Sequence, residues 1–269
     1  MTDTAQDPHR QAVLAATEGG DALTRVIDAL ASMDDQAVRA PSALPDWTRG
    51  HLLAHLDGVG NAFARQLEFA ARGELIEVYE GGRPGRNARI EQISGRSRDE
   101  HLAGLESLRD RLAAAWPAPG TPDWDASVTY YDGTAVDVAL AWWREAGIHQ
   151  VDLVAGIGVE SWSVALCEHL LDFLGVRLPE GEAVVLNADD EGLRYAIGTG
   201  LDELDVELGG VGEGDEAAVE VTGGLREITS WLAGRTPAVA PLATRAGAAV
   251  ALPELGPWPT PPAPEPPRG

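Results

Sequence analysis

Trp143-Arg144-Glu145-Ala146-Gly147-Ile148-His149-Gln150-Val151-Asp152 and, far upstream, Trp47-Thr48-Arg49-Gly50-His51-Leu52-Leu53-Ala54-His55 are the stretches that decide how this chain is read. Each sets ionisable side chains four residues apart inside an apolar stripe of helical period. Four residues turn an α-helix by roughly 400°, so such a pair is offset by only ~40° and ~6 Å. Glu145 and His149 therefore share a face and can bind one metal ion together, with His55 as the candidate third ligand from a neighbouring helix. Two imidazoles and one carboxylate leave a coordination position open, which catalysis requires and structural sites lack.

Periodicity supports that placement. Leu52, Leu56, Val59 and Phe63 repeat at helical spacing with His55 inside their stripe, and Val138, Trp142, Glu145, His149 and Asp152 follow at steps of three and four. Two carboxylates and an imidazole thus share one face with a valine and a tryptophan. Burying a carboxylate without a partner costs several kcal/mol, so this row calls for a cation, a metal or a hydrogen-bond network. The plainer alternative is a satisfied core histidine at position 55 and a salt-bridged Glu145. A lone histidine would favour that alternative; the i, i+4 pair together with a separate histidine on a buried face weighs against it.

With 269 residues the chain has room for two domains, and its 44% hydrophobic content with interspersed charge reads as globular and soluble. The formal net charge is -23, and all 20 basic residues are arginine. Such a surface repels nucleic acid and anionic membrane, so neither is expected as a partner. There is no run of about 18 apolar residues, and Met1 to Arg10 is polar rather than a signal peptide. The single cysteine, Cys167, allows no intrachain disulfide and fits a reducing, cytoplasmic location.

The expected organisation is α+β in two domains, with a helical domain over 1–156, an α+β domain over 157–255 and a disordered tail over 256–269. A first helix is expected from about Gln11 to Met33. A second, N-capped by Thr48, runs to about Arg72 and stops at Gly73. Gly81 to Arg89 is rich in Gly and Arg and reads as a loop. Ser97-Arg98-Asp99-Glu100 is a capping box that opens a third helix ending before Pro117. Val128 to Gly133 reads as a short strand into a turn, and Thr134 to Asp137 opens the fourth helix. After Gly156 come a helix from Ser163 to Gly175, strand-like runs at Glu182–Leu186, Leu193–Ile197, Leu204–Leu208 and Ala217–Val221, and a helix from Leu225 to Ala233. Seven prolines fall between Gly256 and Gly269.

The fragments PDWTRGHLLAHLDGVGNAF and WWREAGIHQVDLVAGIG resemble the two signature segments of the mycothiol-dependent maleylpyruvate isomerase family. The similarity spans roughly Gln11 to Leu252, but only these two segments are specific; the C-terminal part rests on element order and on Gly234-Arg235. The resemblance implies an N-terminal DinB-like four-helix bundle and a small sterol-carrier-like α+β C-terminal domain. It implies Zn²⁺ held by His55, Glu145 and His149, with Asp152 and Arg235 as catalytic residues and mycothiol as cosubstrate. His51 matches no ligand of the family. The chain departs from the pattern at Ala146-Gly147, where relatives carry a larger pair. A mid-helix glycine costs about 1 kcal/mol relative to alanine, and the small pair leaves space for a bulkier electrophile.

A thiol arriving at such a cation loses its proton, because the positive charge stabilises thiolate far more than thiol. In the isomerase reading the thiolate adds to the cis double bond of maleylpyruvate, rotation follows, and elimination gives trans fumarylpyruvate. In an S-transferase reading, serving detoxification or secondary-metabolite biosynthesis, the sulfur stays on a small electrophile. Asp152 is expected to orient a ligand histidine, or else to make a helix-end salt bridge. Arg235 is expected to clamp a carboxylate, or else to lie exposed at a helix end. Arg83 and Arg86 are the candidate cofactor-binding residues of a basic stretch that includes Arg89, unless they are simply solvated. His101, His169 and Cys167 read as structural. A non-catalytic carrier of an apolar ligand is the competing class and requires no metal. Nickel and iron suit the same ligands as zinc, and the choice between monomer and homodimer stays open.

Overall fold

In the computed structural model, which describes residues 7–197 and 218–259, contacts divide the chain after Gly158 into two units. The first holds six helices: α1 (Pro8–Ala31), α2 (Asp35–Arg39), α3 (Arg49–Ala70), α4 (Gly82–Ser94), α5 (Arg98–Ala115) and α6 (Ala135–Asp152). Four of them close a ring, with α1 against α5 and α6, and α3 against the same two. Leu23, Val26 and Leu30 of α1, Leu52, Leu56 and Phe63 of α3, Leu105 and Leu108 of α5, and Val138 and Trp142 of α6 fill its centre. Each such side chain contributes roughly 1.5–3 kcal/mol by leaving water.

The helix starts are set locally. Thr48 caps α3 by accepting from the His51 amide, while His51 Nδ1 accepts from the Thr48 amide, so His51 is a capping residue. Ser97 with Glu100 caps α5, and Thr134 with Asp137 caps α6, in the same reciprocal way. Gly73, at φ 69°, takes the left-handed turn that ends α3.

Two expectations for this unit need correction. Residues 82–94 are helix α4 rather than part of a loop. Gly81 turns the chain in at φ 71°, Pro84 falls in the first turn where it costs no hydrogen bond, and Ile90 and Ile93 bury against Ala54 and Trp47. That burial outweighs the poor helix propensity of the segment. Val128 to Gly133 is not a strand: it forms a single bridge between Ser127 and Thr134 around a 3₁₀ turn, Tyr130–Asp132, in which Tyr131 and Asp132 hold φ of 55° and 53°. The short helix α2 was not anticipated.

The second unit begins with α7 (Val164–Leu174), capped by Ser163. Strands β1 (Val184–Ala188), β2 (Leu193–Ile197), β3 (Val219–Gly223), β4 (Leu242–Arg245) and β5 (Ala248–Val250) form a sheet of order β2-β1-β3-β4-β5. Among the described strands only β1 and β3 pair in parallel; Leu186 stands between Tyr195 and Val221 in register. Helix α8 (Leu225–Leu232) packs against α7, β1 and β3. Val184, Leu186, Val219 and Val221 are buried, and their alternation is the period of two that directs one sheet face inward. The run Leu204–Leu208 lies outside the described residues. Strands β4 and β5 were not anticipated. The stretch expected to be disordered from Gly256 is packed as far as Pro259: the Gly256 amide donates to the Arg177 carbonyl at 2.7 Å, and the Trp258 ring lies 6.1 Å from Phe173. Among the described residues no helix is long and apolar enough to cross a membrane.

Candidate metal centre

Helices α3 and α6 bring His55, Glu145 and His149 together in the first unit. Their ligand atoms all lie within 4.8 Å of one another. His55 Nε2 is 2.9 Å from Glu145 Oε2, and His149 Nε2 is 3.4 Å from the same oxygen. Two bonds of ~2.0–2.1 Å meeting at the tetrahedral angle separate their donors by roughly 3.3–3.4 Å. The three residues therefore fit a divalent cation with little rearrangement. Exposure is graded around them: the side chains of His55 and His149 are 6% and 14% exposed and that of Glu145 is 32%. The more open Glu145 edge is where a fourth ligand would enter.

His149 is held from behind by Asp152, fully buried, whose Oδ2 lies 2.8 Å from Nδ1. A carboxylate accepting from Nδ1–H fixes the ring so that Nε2, once it gives up its proton, directs its lone pair at the centre, the arrangement that orients a ligating histidine. Burial pulls the His149 pKa down, but its bonds to Asp152 and Glu145 and their charges outweigh this and lift it to about 9. Burial pushes the Glu145 carboxyl up, and bonds from the two histidines hold it well below the usual carboxylate range. For His55 burial dominates and lowers the pKa.

Arg86, on α4, reaches the centre: its Nη2 lies 3.0 Å from His55 Nδ1. Arg83 is exposed on the same helix, and its charge acts on Tyr131. His51, His101 and His169 stand outside the ligand set, His101 being buried with Nε2 3.5 Å from the Ser94 carbonyl. Arg235 belongs to the second unit, where its guanidinium lies 5.6 Å from the Trp258 ring and donates to the Ala233 carbonyl. Cys167 is fully buried, and burial raises its thiol to about 12, so it offers no thiolate.

Sequence reasoning missed three residues around Glu145. Arg144 is hydrogen-bonded to Tyr130, and Tyr79 to Arg86, and all three feel the Glu145 carboxylate. Arg144 was legible as the neighbour of a ligand. The two tyrosines were not, because only the fold returns their segments to α6.

The fold and the site define a helical bundle with a built imidazole–carboxylate–imidazole donor set, followed by an α+β unit. Residues 20–154, half of the chain, match the family model described as the mycothiol maleylpyruvate isomerase N-terminal domain. The chain belongs to the mycothiol-dependent maleylpyruvate isomerase family. Among solved structures it is similar to the crystal structure of the mycothiol-dependent maleylpyruvate isomerase, with 24% identity and a TM-score of 0.73 over 92% of this chain and 97% of that one. A histidine-to-alanine mutant of that isomerase matches at 23% identity with the same TM-score and coverage. At these identities the likeness establishes the shared fold. A search of the curated proteins finds no match.

Proposed function

We propose that this chain is a cytoplasmic, zinc-dependent enzyme that uses mycothiol to isomerise a small cis-unsaturated dicarboxylate of the maleylpyruvate type. The observation that carries the proposal is the convergence of His55, Glu145 and His149 with Asp152 behind His149, in a chain of this family. Bound there, a divalent cation supplies charge that favours thiolate over thiol at an open position. The protein's residues do the rest. Asp152 fixes the His149 ring, the apolar bundle excludes water from its inner side, and Arg86 adds positive charge beside the ligands. The sulfur comes from the diffusible thiol, consistent with a Cys167 that stays protonated. Arg83 and Arg235 are proposed as secondary anion contacts for cosubstrate or substrate.

The small Ala146-Gly147 pair was expected to leave space for a bulkier electrophile, as S-transfer would use. Ala146 and Gly147 are buried, and the cavity of about 520 Å³ that Trp142 lines with Trp116 and Trp124 includes neither of them and none of the ligands.

Elemental analysis of protein purified without chelator tests the proposal, with Glu145→Ala and His149→Ala alongside. About one zinc per chain is expected in the wild type and loss in both variants, together with loss of mycothiol-dependent maleylpyruvate isomerisation. A metal-free wild type, or variants that keep their zinc, would overturn it.

A further inference from the structure

A guanidinium can only donate hydrogen bonds. With Arg86 Nη2 3.0 Å from His55 Nδ1, that ring nitrogen must present its lone pair to Arg86. The hydrogen of the neutral ring then sits on Nε2, 2.9 Å from Glu145 Oε2, to which it donates. Ligation demands the reverse. A coordinated Nε2 gives its lone pair to the cation, the ring hydrogen moves to Nδ1, and Nδ1–H would then face the N–H of Arg86, donor against donor. His149 has the opposite neighbour: its Nδ1 meets the Asp152 carboxylate, an acceptor, at 2.8 Å. One ligand histidine is thus prepared for a metal and the other is held in the wrong tautomer.

We infer that Arg86 is a latch on the metal centre, a positioning residue that holds His55 in the non-ligating tautomer until a cation enters and is displaced from Nδ1 when His55 becomes a ligand. The net protonation of His55 does not change: one hydrogen leaves Nε2 to solvent and one is taken up at Nδ1. Displacement costs Arg86 one bond and leaves it others, since its Nη1 is 3.0 Å from Asn87 Oδ1 and its guanidinium lies 5.9 Å from the Tyr79 ring centre. The freed side chain stands beside the centre as a cation able to meet an anionic fourth ligand. Cation loading thereby makes Arg86 available to a thiolate or carboxylate, so the centre gains anion affinity only once it is filled. The latch rests on the proposed metal site and not on the identity of thiol or substrate.

The test uses the full chain with ¹⁵N-labelled histidine, metal-free and with one equivalent of zinc, read by long-range ¹H–¹⁵N correlation and assigned against His55→Gln. His55 is expected as the Nε2–H tautomer without metal and as Nδ1–H with zinc. In chelator competition Arg86→Met should bind zinc about tenfold more tightly than wild type, the scale on which groups behind metal ligands act. Arg89→Met removes an exposed charge from the same helix without touching His55 and should stay within about twofold, because exposed charges are screened. Equal shifts in the two variants, or His55 already Nδ1–H without metal, would overturn the latch. Zinc bound with an unchanged tautomer overturns the latch alone, whereas no zinc binding by the wild type overturns the metal site and the latch with it.

Discussion

Raising the pH from 7 to 9 should tighten zinc binding through His149. In the metal-free protein the bonds to Asp152 and Glu145 outweigh burial and lift its pKa to about 9, so at neutral pH the ring is protonated. A ligating imidazole must be neutral, and binding expels that proton. Each pH unit below about 9 therefore costs a factor of ten, and at pH 7 the two units amount to about 100-fold, or about 3 kcal/mol. Glu145 is already ionised and His55 is held neutral, so neither contributes to this ramp. Asp152→Asn removes a carboxylate 2.8 Å from Nδ1 and should shift the ramp to lower pH. Competition against a chelator of known pH dependence, with wild type and Asp152→Asn side by side, reads both effects. A wild-type affinity flat between pH 7 and 8.5, or the same ramp in the variant, would refute the reasoning. The shift also bears on the metal-free fold. A pKa raised from 6.5 to about 9 gives stability that is complete below pH 6.5 and is lost as the pH climbs towards 9.

Two further outcomes follow from packing and burial. Gly50→Ala would place a Cβ 2.2 Å from the Ser94 carbonyl oxygen, forcing α3 away from the end of α4, and should cost about 3 kcal/mol in urea denaturation; a wild-type midpoint would show that this approach is not close. Cys167, its thiol raised to about 12 by burial, should not react with a disulfide reagent in the native state and should titrate fully in denaturant. Rapid native labelling would contradict its burial.

What the sequence disclosed was local. The Glu145–His149 pair, the Thr48 cap and the Ser97 and Thr134 capping boxes each lie within a turn or so of chain, where helical geometry alone determines who meets whom. Helix α4 was hidden because its Gly, Pro and Arg content argues for a loop; it is helical through Ile90 and Ile93, which meet Ala54 and Trp47 from another part of the chain. Strands β4 and β5 were hidden for a different reason. They are short, and Leu242 and residues 248–250 are exposed, so no alternation marks them. The Arg86–His55 contact joins side chains 31 positions apart and has no signature in spacing. The left-handed Tyr131 belongs to the same category, since tyrosine does not announce a positive φ.

Arg49, the residue after the α3 cap, donates from Nε to the Leu153 carbonyl at 2.8 Å, from Nη2 to the Val154 carbonyl at 2.7 Å and from Nη1 to the Ala37 carbonyl at 3.0 Å; the Ala43 amide reaches the Asp152 carbonyl at 2.9 Å. The start of the helix that carries His55 is thereby tied to the end of the helix that carries Glu145 and His149, through the Arg49 guanidinium and backbone oxygens rather than through a metal ion. Metal sites in small zinc domains are assembled only as the chain folds around the ion, so stripping the ion unravels them. Here the receptacle is built beforehand. An ion at the proposed centre should therefore exchange while the bundle stands, so that its occupancy would follow the supply of metal rather than the history of folding.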